Sequence, residues 1–244
     1  MLEGLYSAAA GMQAQQERLD AISNDLANLD TPGYQSERVG FEDLLYSAAA
    51  PSQGSGVTVG AGAQAVNLGP SQVGGGVQQT GDPLDLAIDG DAYFEVKQSD
   101  GTTALTLNGQ LQIDGKGQLT TGSGMLVQPP ITVPSGTSPS DVTIDSDGTV
   151  SANGKTLGKL ALVTVAAPEQ LTPVGDSLLV PSAASGTPHA ATGATVIQGS
   201  LNTSNVDLAT EMTQMMDAQQ SYSMASKALD IQSQMAQIAN QVRG

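Results

Sequence analysis

Few side chains in this 244-residue chain are equipped for chemistry, and their spacing decides what they can do. Asp82, Asp85, Asp89 and Asp91 form the densest carboxylate cluster, and paired carboxylates can do acid–base work. They alternate with Leu84, Leu86 and Ile88, which predicts outward-facing strand and turn positions instead. Asp145-Ser146-Asp147-Gly148-Thr149 resembles a calcium loop only at first glance. An EF-hand loop needs Gly at its sixth position and Glu at its twelfth. Counted from Asp145, Gly is fourth and Thr156 is twelfth, so a tight turn is expected. Gly74-Gly75-Gly76 lacks the following Lys-Ser/Thr of a phosphate loop. Gly122-Ser123-Gly124 lacks the spacing of a nucleophile elbow. Its only possible histidine partner, His189, reads as a solvated side chain in the loop Gly186-Thr187-Pro188-His189. There is no cysteine, which removes disulfides, thiol catalysis and Cys-ligated metals. No catalytic, metal or cofactor site is expected.

Charge and composition narrow the partners. Lys plus Arg total 8 against 24 Asp plus Glu, a formal net charge of −16. Binding nucleic acid or an anionic membrane surface needs clustered cations, so neither partner is expected. With five Tyr, two Phe and no Trp, an aromatic stacking platform is not expected either. The N-terminus Met1-Leu2-Glu3-Gly4 lacks the basic region of a cleaved signal, and no apolar run is long enough to span a bilayer. The composition fits a soluble protein, or one exported by a route that cleaves no signal.

The elements left to do something are the two ends. Residues 3–29 read as a helix. Leu5, Met12, Leu19 and Leu26 recur every seven residues, and Ala8, Gln15, Ile22 and Leu29 follow three later. Together they make a heptad seam with one polar interruption, Gln15. Asp30-Thr31-Pro32-Gly33 stops it. Residues 206–243 read as a second helix, N-capped by Asn205 or Ser204, with Asp207 in the first turn. Leu208, Met212, Met215 and Tyr222 mark one stripe. Met224, Ala228, Ile231, Met235, Ile238 and Val242 mark another, out of phase. Two apolar stripes suit a helix with two neighbours. The seams have no evident partner in the chain, so a lattice of identical chains is expected to supply one, as open head-to-tail contacts do in a filament.

The centre is β-rich. Turn dipeptides punctuate it at Asp89-Gly90, Asp100-Gly101, Asn108-Gly109, Asp114-Gly115, Asp147-Gly148 and Asn153-Gly154. The spacing predicts a hairpin from Leu105-Thr106-Leu107 through Asn108-Gly109 to Leu111-Gln112-Ile113. Residues 111–120 echo 142–151, which predicts two similar strand–turn–strand units. Residues 47–56 and 70–76 read as flexible connections. The fold class is α+β: long N- and C-terminal helices forming a coiled-coil-like inner domain, with a central all-β domain. The expected boundaries are 1–34 for the first helix, 35–81 for an extended connection, 82–200 for the β domain and 201–244 for the second helix.

Ser23-Asn24-Asp25-Leu26-Ala27-Asn28-Leu29-Asp30-Thr31-Pro32-Gly33-Tyr34 resembles the signature of bacterial flagellar rod, hook and hook-associated axial proteins. Asn24, Ala27, Asn28, Thr31, Pro32, Gly33 and Tyr34 are its motif positions. Phe41-Glu42-Asp43-Leu44-Leu45-Tyr46 is similar to the continuation in the distal rod branch, and 86–94 and 199–208 resemble the family's entries into its β domain and second helix. The segment after Tyr46 is shorter than in that branch, which leaves a proximal rod paralogue as the alternative. The resemblance implies a non-enzymatic subunit of the basal-body rod, exported unfolded by the flagellar type III apparatus without a cleaved signal. Its implied partners are copies of itself and other rod and hook proteins, assembled into a periplasmic helical tube that transmits torque to the hook. A secreted β-domain adhesin or cap with oligomerising helices is the alternative. A glycan hydrolase carried on rod helices is a third, and it would need a carboxylate pair in a cleft.

Overall fold

The computed structural model describes residues 2–47, 58–98 and 100–243. The chain divides into two compact units. One comprises Met1–Ala27, Glu37–Leu68 and Asp207–Gly244; the other comprises Asn28–Ser36 and Gly69–Val206.

The first unit is built on two helices, α1 (Leu2–Ala27) and, at the other end of the chain, α2 (Leu208–Arg243). Both are rich in Ala, Leu, Met and Gln, strong helix formers that lose little rotamer freedom. α1 ends at Ala27, so Leu29 lies beyond it in the following turn and not on a helical seam. Pro32 disfavours helical geometry at Thr31, and Thr31 N–H turns back to the Asn28 carbonyl at 3.1 Å. α2 starts at Leu208 and is capped by Asp207, not by Asn205 or Ser204. The Asp207 carboxylate accepts from Thr210 N–H at 2.8 Å, while Asn205 spends its side chain elsewhere. The two helices pack on each other within the chain.

Between them the first unit holds β1 (Glu37–Ser47) and β2 (Thr58–Pro70), where a connecting segment was expected. They pair as a two-stranded sheet. Arg38 Nη2 donates to the Leu68 carbonyl at 3.3 Å, and Asn67 Nδ2 to Glu37 Oε2 at 3.2 Å. The start of β1 thus lies beside the end of β2, an antiparallel arrangement. Residues 48–57, most of one expected connection, lie outside the described residues.

The second unit begins with β3 (Val77–Gln79), β4 (Leu86–Asp89), β5 (Tyr93–Lys97) and β6 (Thr103–Thr106). It continues through β7 (Leu111–Ile113), β8 (Leu119–Thr121), β9 (Leu126–Val127), β10 (Val142–Ile144), β11 (Thr149–Ala152) and β12 (Lys155–Lys159). β13 (Leu162–Thr164), β14 (Thr172–Gly175), β15 (Leu178–Val180), β16 (His189–Ala190), β17 (Thr195–Gln198) and β18 (Ser200–Asn202) complete it. The main sheet runs β14-β15-β6-β5-β9-β8-β7, with β13 beside β5 and β16 beside β13. β10-β11-β12 form a separate antiparallel sheet, and β17-β4 and β18-β3 are pairs.

Period-two alternation fills two cores. Phe94, Ala104, Leu178 and Leu162 go to one; their neighbours Tyr93, Leu105, Leu179 and Val163 go to the other. The middle of the main sheet is therefore covered on both faces, which explains its near-continuous apolar runs.

The expected hairpin across Asn108-Gly109 does not form. β6 is flanked by β5 and β15, and β7 pairs with β8 instead. With both edges of β6 occupied, residues 107–110 leave the sheet. Gly109 accepts from Leu86 N–H at 3.0 Å and Leu111 N–H donates to Leu84 at 3.3 Å. The internal echo does form. Asp114 N–H bonds Gln118 O at 2.9 Å, and Asp145 N–H bonds Thr149 O at 3.0 Å. Gly117 and Gly148 hold the matching positive φ of 81° and 84°. Asp145–Thr149 is thus the tight turn of the β10–β11 hairpin. Residues 70–76 are irregular but tied down, through Ser71 N–H to Ser36 O, Asn205 Nδ2 to Val73 O and Thr203 N–H to Gly76 O, each at 2.8 Å.

Candidate assembly surface and the motif turn

On α1 the half-buried and buried positions, Ala10 apart, fall into two adjacent heptad rows. One is the expected row: Ala8, Met12, Gln15, Leu19 and Leu26 are half-buried, and Ile22 is buried. The other, Ser7, Gly11, Ala14, Arg18, Ala21 and Asp25, includes the buried Ala14 and Asp25. It was missed because small and charged residues do not register as apolar. Its signal was available in the seven-residue spacing of Gly11, Arg18 and Asp25. The Leu5 side chain lies outside what the structure describes. Arg18 joins three elements: its Nη2 donates to Gln214 Oε1 of α2 at 3.4 Å, and its guanidinium lies 5.9 Å from the ring centroid of Phe41 on β1. Asp25 Oδ1 accepts from Glu37 N–H at the start of β1, at 3.2 Å.

α2 keeps one narrow face from solvent. The positions turned from solvent are Glu211, Gln214, Met215, Ala218, Ser221, Ala225, Ser226, Leu229 and Gln232, with Ala218 fully buried. Small side chains let the helices approach closely. The large apolar residues are left outside. Leu208, Met212, Tyr222, Met224, Ala228, Ile231, Met235 and Ile238 of the expected stripes are exposed, as is Met216. Met215 is half-buried, and the Val242 side chain lies outside what the structure describes. Arg18 opposite Gln214, and Asp25 acting on Glu211, make the pair antiparallel. At 1.5 Å per residue, 36 residues against 26 leave α2 longer by about 15 Å. The overhang carries Met235 and Ile238.

Electrostatics mark the start of α2. Burial pushes the Glu211 carboxyl above its ordinary range; Asp25 adds to this, Arg18 opposes it, and Asp207 contributes a little more. Asp207 is held below its ordinary value by its bonds to Thr210, as suits a cap at the positive end of the helix dipole.

The motif turn belongs to the β unit. Asn24 and Ala27 are exposed on the last turn of α1, but Asn28, Thr31, Pro32, Gly33 and Tyr34 sit in the second unit. Gly33 N–H donates to Asn202 O at 2.8 Å, and Asn205 N–H to Tyr34 O at 3.4 Å. Asn205 Oδ1 accepts from Ser36 N–H at 2.8 Å. Asn202 is buried, and its amide pairs both backbone groups of Ile88, at 2.8 and 2.9 Å. Gly33 has φ 67°, and a Cβ there would overlap the Leu107–Asn108 backbone. The turn is thus fastened to the chain's other end and to β4.

The residues first considered for chemistry are structural. Asp82 caps Leu84 N–H at 3.0 Å, and Asp89 and Asp91 are exposed. Asp85 is buried, contrary to the outward position expected, and accepts from Thr80 Oγ1 at 2.6 Å. His189 is exposed as expected, but on β16 opposite Thr164 instead of in a loop. Among the described residues no group of His, Asp and Glu is placed to hold a metal, and no helix is long and apolar enough to cross a membrane.

Comparison with known proteins bears on this arrangement along its whole length. Residues 5–35 match the family described as Flagella basal body rod protein, 87–152 the Flagellar hook protein FlgE/F/G D1 domain, and 197–242 the Flagellar basal body rod FlgEFG protein C-terminal. The flagellar basal-body rod protein FlgG of Caulobacter vibrioides is 36% identical, over 99% of this chain and all of its own length. The FlgG protein of Bacillus subtilis is 38% identical over 94% of each chain. The basal-body rod protein FlgF of Mesorhizobium japonicum is 29% identical over 91% of this chain and 90% of its own. With most of α1, the motif turn, part of the β unit and most of α2 inside these matches, and relatives aligned along nearly the whole chain, the chain belongs to the flagellar basal-body rod family, with the distal rod proteins.

Proposed function

We propose that this chain is a subunit of the basal-body rod that polymerises through α1 and α2 into a helical tube. The observation that carries the proposal is the apolar surface that α2 leaves uncovered. Ala218 is buried, while Met212, Met216, Ile231, Met235 and Ile238 stay exposed on more than one face. A helix that finished its packing inside one chain would bury such residues. Neighbouring copies cover them, and a continuous helical lattice is stiff enough to carry torque between motor and hook. The half-buried members of the expected α1 seam, Met12, Leu19 and Leu26, contribute from the other helix. Copies of the chain and other rod and hook proteins are the partners. The subunit reaches the periplasm through the flagellar type III apparatus without a cleaved signal, and no cofactor takes part. The decisive test replaces Ile231 or Ile238 by Asp in the cell. The expected result is a folded, exported subunit, short or absent rods and lost motility, with Gln237→Asp as the tolerated control. Normal swimming of both Ile variants would reject the lattice reading.

A further inference from the structure

We propose that the exposed methionines of α2 are an oxidation-sensitive site that controls incorporation of the subunit; this rests on the reading of α2 as an assembly face. Five of the eight methionines lie between positions 212 and 235. Met212, Met216, Met224 and Met235 are 51%, 62%, 56% and 51% exposed. Met125, by contrast, is half-buried against the β-unit core. With no cysteine in the chain, these thioethers are its most readily oxidised groups.

The reaction is a two-electron oxygen transfer. The sulfur lone pair attacks one oxygen of hydrogen peroxide, an S–O bond forms, the O–O bond breaks, and water leaves. The sulfur is oxidised to sulfoxide and the peroxide reduced. A dithiol reductase reverses it, releasing water and leaving its own thiols as a disulfide. In the free subunit the sulfoxide oxygen stays hydrated and costs the fold little. Packed against a neighbour it loses that water without gaining a donor. Oxidation therefore spares the monomer and acts at assembly, and subunits already in a lattice are shielded by their neighbours.

The purified full chain is treated with hydrogen peroxide and peptide-mapped by mass spectrometry. Met212, Met216, Met224 and Met235 are expected to gain oxygen well before Met125; equal rates would overturn the site. Polymerisation, followed by sedimentation, is expected to fall at least about tenfold. Far-UV circular dichroism should not change, and methionine sulfoxide reductases should restore polymerisation. A chain with all four methionines replaced by Leu is expected to polymerise and to ignore peroxide. Oxidised wild type polymerising like untreated protein refutes the proposal. Untreated Met216→Glu separates the two ideas. If it polymerises normally, the assembly-face reading fails and takes the proposal with it. If it is blocked while oxidised wild type is not, only the oxidation proposal fails.

Discussion

Gly33 and Asn202 show how single residues carry the motif turn. Gly33 combines a positive φ with a backbone neighbour where a Cβ would stand. Gly33→Ala adds left-handed strain of about 1 kcal/mol to a steric overlap, so a loss above that figure is expected in denaturant melts of the full chain. Asn202→Ala strands both Ile88 backbone groups in a buried place. A loss of about 2–6 kcal/mol follows if each unpaired group costs about 1–3. A change below 1 kcal/mol would show that water replaces the amide. Glu211 makes a pH prediction. Its folded pKa is raised, so the native state holds the proton more tightly than the unfolded chain, whose value is near 4.5. Stability therefore falls as pH rises from about there through the raised folded value, and the penalty is complete above it. Glu211→Gln should stabilise the helix pair at neutral pH and flatten that slope. Asp207 has the opposite sign. Its contribution is present above its ordinary 3.8 and is lost as pH falls through the depressed value.

The helix pair shows why size matters more than hydrophobicity along an element. Ala218 has no exposed surface at the α1–α2 contact. Ala218→Leu inserts three carbons into a close approach, and overpacking of that kind costs about 1–3 kcal/mol. The helical signal should melt earlier while the β unit keeps its own stability. The reverse change at an exposed stripe, Ile231→Ala, should leave monomer stability within about 0.5 kcal/mol yet weaken assembly. Comparing the two in parallel melts and sedimentation runs separates intrachain packing from lattice packing. If Ile231→Ala melts like Ala218→Leu, the stripe is part of the monomer's own core.

The division into two units carries a prediction for the whole chain. The β unit has two apolar cores, whereas among the described residues the helical unit buries Ala14, Ile22, Asp25 and Ala218 alone. Unfolding of the monomer should therefore occur in two steps, with helical circular dichroism lost before the amides of β5, β6 and β8 exchange. Coincident transitions would mean one cooperative unit. The boundary itself is instructive. The motif turn at 28–36 belongs with the β unit, although it follows α1 directly in sequence. A variant of Thr31-Pro32-Gly33 should thus disturb the β unit before it lengthens α1, and hydrogen exchange on Pro32→Ala with Gly33→Ala would register the difference.

Both helices, the β-rich centre and the family were legible in the sequence because they rest on local signals. Heptad spacing, turn dipeptides and the Thr31-Pro32-Gly33 stop each act within a few residues. The echo of 111–120 in 142–151 appeared as two matching turns for the same reason. What failed depended on partners distant in sequence. Asn108-Gly109 had hairpin chemistry, but β5 and β15 had taken both edges of β6. Asn205 looked like a helix cap, but Ser36 and Val73 claimed its side chain. Asp85 looked outward until Thr80 gave it a buried donor. The second α1 row of Gly11, Ala14, Arg18 and Asp25 was invisible to a search for large apolar residues. Sequence alone determined which segments are helical and which residues are apolar; only the tertiary structure decided which of those faces the chain uses itself and which it leaves exposed, because burial belongs to pairs of surfaces and not to either one.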